Sequence, residues 1–121
     1  MERISDAEYA VMAVLWAASP LTAQEVAQRV PDERDWSMNT VKTLLARLVA
    51  KRTIATEADG RRFLYRPLVQ QADYVTTESR RLMDRLFGGS LTPLVAHLAE
   101  KGALSAQEIE EIEALLKELK A

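Results

Sequence analysis

The sequence predicts a mainly α-helical chain with one small β-hairpin, in the order of a winged helix-turn-helix followed by a helical dimerisation region. Three observations predict it. The pattern Ser/Thr-x-x-Glu occurs as "SDAE" at 5–8, "TAQE" at 22–25 and "SAQE" at 105–108, each time ahead of apolar residues at helical spacing. A single segment, "TIATEADGRRFLYRP", leans towards β structure on both sides of Asp59-Gly60. Beyond Pro67 the patterns are helical throughout.

Each element follows from local chemistry. The Ser5 hydroxyl and the Glu8 carboxylate can satisfy the free N–H groups that open a first helix, which runs to about Ala18 and carries Tyr9, Met12, Leu15 and Trp16 at helical spacing. Ser19-Pro20 ends it. Thr22 and Glu25 repeat the device for a short second helix through Val26 and Val30, stopped before Pro31, and "PDERD" reads as a loop. Ser37 caps a third helix that runs to about Arg52. At 100° per residue its buried stripe is Val41, Leu44, Leu45 and Leu48, with Asn39, Thr43, Ala46, Arg47 and Ala50 opposite and Thr40 and Lys42 on the flanks. Asp59-Gly60 suits the positive φ angles of a tight hairpin turn. A fourth helix covers about 70–87 and stops at Gly88-Gly89, and a fifth covers about 91–100, ending near Gly102. Ser105 opens the last, with Ile109, Ile112, Leu115, Leu116 and Leu119 on one face. The chain thus divides into residues 1–68, with the element order of a winged helix, and residues 69–121, which are helical throughout.

Charge is unevenly placed. The 121 residues carry 16 Lys+Arg and 18 Asp+Glu, a net charge of −2. Residues 1–67 sum to +1 and residues 68–121 to −3, while 36–67 hold seven basic side chains against two acids, Glu57 and Asp59. No carboxylate occurs from Trp36 to Thr56, so the polar face of the third helix is free of groups that repel phosphate. Its small residues Asn39, Thr43 and Ala46 allow close approach to a groove, and Thr40, Lys42, Thr43 and Arg47 offer donors to phosphates or base edges. Arg61 and Arg62 stand beside the hairpin turn, within reach of backbone phosphates. A polar helix face is ordinarily just solvated, and winged helices also dock proteins. The acid-free third helix together with a basic hairpin points to double-stranded DNA. The alternatives are a protein-interaction adaptor and a regulator whose dimer core binds a small molecule.

Other chemistries find no support. Apolar residues make up 48% and charged residues 28%, as in a folded soluble domain. There is no apolar run of membrane-spanning length, and "MERISDAEYA" lacks a signal peptide's apolar core, so a cytoplasmic protein is expected. With no cysteine and one histidine, His97, neither a thiolate nor a His-based metal site is expected. Glu108 and Glu111 share a helix without a base beside them, and no nucleophile elbow or phosphate loop occurs, so no enzyme and no cofactor is expected.

The strings "AEYAVMAVLW", "LTAQEVAQRV", "NTVKTLLARLVAKRTI" and "GRRFLYRP", followed by "LFGGSLTPLVAHLAEKGALSAQEIEEIEALLKEL", resemble the penicillinase-repressor (BlaI/MecI/CopY) family across nearly the whole chain. The most specific pieces are Val11-Met12 with Leu15-Trp16, and the Thr40-Val41-Lys42-Thr43-Leu44 block. The resemblance implies a homodimeric repressor of antibiotic-resistance or stress genes on an inverted-repeat operator. It implies DNA contacts at Asn39, Thr40, Lys42, Thr43 and Arg47 on the recognition helix, with Arg61 and Arg62 on the wing. Copper-sensing members carry a cysteine-rich tail, which this chain lacks. Penicillin-responsive members are cut by a membrane-bound sensor protease at an Asn-Phe bond, and here His97-Leu98 stands at that place.

The acidic half carries more apolar surface than about fifty residues can bury alone. Val75, Leu82, Met83, Leu86 and Phe87 make one stripe, Leu94, Val95 and Leu98 a second, and Ile109, Ile112, Leu115, Leu116 and Leu119 a third. Part of this surface can pack within the chain. A two-fold dimer centred on Leu82, Leu86, Leu94, Leu98 and the Ile109-to-Leu119 stripe buries the rest and supplies two recognition helices.

Overall fold

The computed structural model describes residues 2–121 and forms two compact units, the first ending at Tyr74 and the second spanning Val75–Ala121. The element order is α1 (Asp6–Ala17), α2 (Ala23–Arg29), a short 3-10 turn (Asp32–Arg34), α3 (Met38–Ala50), β1 (Ile54–Asp59), β2 (Arg62–Pro67), α4 (Gln71–Phe87), α5 (Leu91–Glu100) and α6 (Ala106–Lys120). This is the winged-helix order.

The helix starts form as their sequences require. Ser5 Oγ accepts from Glu8 N at 3.1 Å while Ser5 N donates to Glu8 Oε1 at 2.7 Å. Thr22 and Glu25 make the same reciprocal pair at 3.1 and 2.9 Å. Ser37 and Ser105 form the hydroxyl arm, each accepting from the backbone three residues on. At Ser105 the box is therefore half made. The "PDERD" segment is more ordered than a plain loop. It winds one 3-10 turn and exits through Asp35 at φ 47, with the Arg34 guanidinium 5.2 Å above the Trp36 ring.

One core fills the first unit. Val11, Met12 and Leu15 of α1, Val26 of α2, Val41, Leu44, Leu45 and Leu48 of α3, and Ile54 of β1 are all buried. The stripe expected on α3 is the one observed. On α1 the face divides: Met12 and Leu15 point inward, whereas Tyr9 and Trp16 form an aromatic triad with Tyr74 at centroid distances of 5.6 to 5.8 Å. Trp16 Nε1 donates to Val69 O at 2.9 Å. These contacts carry the first unit's packing into the first turn of α4, past the connection at 68–70.

Two details differ from the sequence pattern. Helix α3 stops at Ala50, and Arg52 is its left-handed cap at φ 60, with Arg52 N donating to Val49 O and Thr53 N to Leu48 O, both at 3.0 Å. That bond pair is a Schellman motif, which ordinarily has glycine at the left-handed position. The hairpin turn also sits one residue later than Asp59-Gly60 suggests. Asp59 pairs with Arg62, so the two turn residues are Gly60, at φ 64, and Arg61. A positive φ at the first central position alone is the pattern of a type II′ turn.

Lys51 closes the first unit electrostatically. Its Nζ lies 2.7 Å from Glu8 Oε1 and 3.0 Å from Arg3 O, and the Glu8 side chain is 3% exposed. Burial pushes the Glu8 carboxyl up, but the Lys51 hydrogen bond, the Ser5 bonds and the Lys51 charge together outweigh it and hold the group below its usual 4.5.

Two outcomes are expected in chemical denaturation. Arg52→Gly raises stability by about 0.5–1 kcal/mol, since relief of the left-handed side chain exceeds glycine's extra unfolded-state freedom. Lys51→Ala costs about 2–3 kcal/mol by stranding a buried carboxylate. Because the folded state holds Glu8 ionised more strongly than the unfolded chain does, this contribution is complete above about pH 4.5 and is lost as pH falls through the lowered value. Glu8→Gln then flattens the acid limb of the stability profile, and an unchanged limb would refute the assignment.

Candidate nucleic-acid interface

The face of α3 opposite its buried stripe is open. Asn39, Lys42, Thr43, Ala46, Arg47 and Ala50 are exposed and Thr40 is half-buried. Thr40 is tied into the helix start, its hydroxyl 3.1 Å from Ser37 Oγ. Lys51, which shares the acid-free polar stretch in sequence, is turned away into the Glu8 pair and belongs to the scaffold. The exposed cations of this helix are therefore Lys42 and Arg47.

The hairpin is fixed against the helices at its base. Tyr65 N donates to Leu21 O at 2.8 Å and Leu21 N to Tyr65 O at 3.1 Å, a bridge that ties β2 to the α1–α2 connection. Leu68 N donates to Thr53 O at 2.9 Å, closing the base of the ladder. The tip thus carries Arg61 and Arg62 from a rigid stem. The two differ in their surroundings. Arg62 makes a 3.0 Å ion pair with Asp59, both side chains remaining well exposed, and its charge is felt at Glu25, whose carboxyl the Thr22 backbone and side chain already hold below the usual range. Arg61, the second turn residue, is exposed.

Between α2, the start of α3 and the hairpin lies an open groove lined by Thr22, Gln24, Lys42, Arg61, Arg62 and Tyr65, and also by Met38 and Phe63. The structure therefore brings Lys42, Arg61 and Arg62 onto one concavity, with Asn39, Thr43 and Arg47 along the helix that forms its wall. Met38 and Phe63 were not singled out by the sequence pattern. The available signal was strand alternation, which puts Phe63 on the same face of β2 as Tyr65.

The second unit presents a different surface. None of the described residues of α5 or α6 is buried. Leu94, Leu98 and Ile112 are half-buried, and Leu82, Leu86, Ile109, Leu115, Leu116 and Leu119 are exposed, Leu119 by 81%. His97 and Leu98 lie within α5, His97 exposed. No group of three or more metal-ligating side chains occurs among the described residues, and no described helix is long and apolar enough to cross a membrane.

Residues 4–118 match the Penicillinase repressor family model. The chain is 35% identical over 118 residues to the penicillinase repressor of Bacillus licheniformis, covering 98% of this chain and 92% of that protein. It is 34% identical over 113 residues to the methicillin resistance regulatory protein MecI of Mammaliicoccus sciuri, covering 93% of this chain and 92% of that one. Among solved structures it is similar to the monomeric form of Bacillus licheniformis BlaI in complex with the blaP half-operator, with a TM-score of 0.52 and 37% identity over 60% of this chain and 89% of that one. With a winged helix built on these residues and a family match running almost end to end, the chain belongs to the penicillinase repressor family.

Proposed function

We propose that this protein is a DNA-binding transcriptional repressor that grips an inverted-repeat operator as a homodimer and controls resistance or stress genes. The observation that carries the reading is the solvent face of α3. Its buried stripe commits the helix to one rotation, and the face left outside has small residues, hydrogen-bond donors and no carboxylate. Asn39, Thr40, Lys42, Thr43 and Arg47 contact the major groove, while Arg61 and Arg62 hold backbone phosphates beside it. Arg61 is the stronger of the two, because Arg62 has to share its charge with Asp59. The relatives named above are a penicillinase repressor and a methicillin resistance regulatory protein, and BlaI was solved with half of an operator.

The second unit supports the dimeric part of the reading. Helices without a single buried described residue need a further apolar surface, and the C-terminal stripes through Leu82, Leu86, Leu94, Leu98, Ile109, Ile112, Leu115, Leu116 and Leu119 supply it for a two-fold partner. Release is by proteolysis between His97 and Leu98, carried out by a membrane-bound sensor protease. Cutting there divides the dimerising helices, and a monomer loses the effective concentration that links two half-sites.

Footprinting on the promoter of its own operon tests the reading, with a protected inverted repeat expected. Binding that is weak and insensitive to salt would favour a protein-docking role instead. Arg47→Ala weakens operator binding by about 1–3 kcal/mol if the side chain meets a base, or lowers the salt slope by about one if it meets phosphate. Unchanged affinity and slope would remove Arg47 from the interface. Leu116→Asp yields a folded monomer in sedimentation, with operator affinity reduced by roughly 10²-fold; a persistent dimer would place the interface elsewhere.

A further inference from the structure

The groove between α3 and the hairpin holds two apolar side chains that the polar contact set does not use. Met38, the first residue of α3, is 38% exposed, and Phe63 on β2 is 55% exposed. Both line the groove with Gln24, Lys42, Arg61 and Tyr65. Phe63 shares its strand face with Tyr65, but Tyr65 packs against the core and Phe63 does not. An aromatic ring left this open, beside an open methionine, marks a surface that an occupant covers.

The groove's charge defines that occupant. Lys42, Arg61 and Arg62 surround the apolar pair, so the partner is a polyanion that also offers an apolar spot. Duplex DNA has one such spot on its major-groove edge, the thymine C5-methyl. The N-terminal residues of a recognition helix are the ones that meet base edges, and Met38 stands at that end of α3. Its flexible thioether adapts to a methyl group, and the Phe63 ring closes the other side.

We propose that Met38 and Phe63 form an apolar reading site for one thymine methyl in each half-site, with Lys42 beside it in the major groove and Arg61 on a flanking phosphate. The inference rests on α3 being the recognition helix and names a base that it reads. The polar contacts position the protein, and this pair adds discrimination of thymine from cytosine, which lacks the methyl.

The test uses the full-length protein and a duplex that it selects from a random-sequence pool. Each thymine is replaced singly by deoxyuridine, which removes the methyl and keeps the base pair. Wild-type binding is expected to fall about threefold to fivefold at one thymine per half-site, the effect of one buried methyl. Met38→Ala and Phe63→Ala, both at exposed positions, are expected to bind the thymine and deoxyuridine duplexes equally, and Phe63→Leu is expected to restore part of the difference. A penalty that persists in both alanine variants would overturn the site, as would the absence of any sensitive thymine. Uniform weakening of Phe63→Ala on every duplex, with no deoxyuridine effect in the wild type, would assign the ring to sugar packing and also overturn it. Each of those results leaves the DNA-binding reading standing, whereas selection of no duplex at all would remove both.

Discussion

Val41, Leu44, Leu45 and Leu48 are buried among α1, α2 and the first hairpin strand, and the remaining features of the first unit depend on that burial. Four aliphatic side chains taken out of water stabilise the fold by roughly 6–12 kcal/mol, which is comparable with the whole net stability of a small domain. Rotating α3 by even one residue's turn would expose part of the stripe. The helix therefore has one orientation, and the opposite face is whatever the sequence left there. In this chain it left amides, hydroxyls, methyl groups and two arginine or lysine head groups. The absence of carboxylates acquires meaning only because the rotation is settled.

The same burial fixes the hairpin. Ile54 sits in the core at the end of the Schellman turn that terminates α3, so β1 begins where that helix stops. The Leu21–Tyr65 bridge then anchors the returning strand. Helix and wing are consequently anchored to one core, and the basic groove between them is already formed in the unbound chain. Preformation lowers the conformational cost of association. The Glu8–Lys51 pair reinforces this arrangement by tying the start of α1 to the end of α3.

The second unit contrasts with the first. Its helices carry the apolar periodicity of packed elements, yet within one chain those faces stay exposed or half-buried. In the proposed dimer, self-association and DNA binding on two half-sites would be parts of one design, because the same exposed apolar surface would bring two copies of α3 together. Net charge separates the two halves, −3 over residues 68–121 against +1 over residues 1–67, and the acids of the first half lie outside the stretch from Trp36 to Thr56.

The sequence by itself determined the helix starts, the buried stripe of α3, the hairpin's place and the uneven charge, because capping and periodicity are local and act within a turn or a strand. The candidate contact residues of α3, Asn39, Thr40, Lys42, Thr43 and Arg47, are what remains once the stripe is assigned, and Arg61 and Arg62 are proposed because they flank the turn signal at Asp59-Gly60. Tertiary structure decided what depends on distant partners. Lys51 left the polar face because Glu8, far away in the chain, needed a countercharge, and Arg52 became a left-handed cap because Ile54 had to turn back into the core. Register moved the hairpin turn from Asp59-Gly60 to Gly60-Arg61, since cross-strand pairing rather than turn propensity places the last ladder pair. The exposure of Met38 and Phe63 at a shared groove was likewise invisible in one dimension, because no local rule states which apolar side chain the rest of the fold will fail to cover.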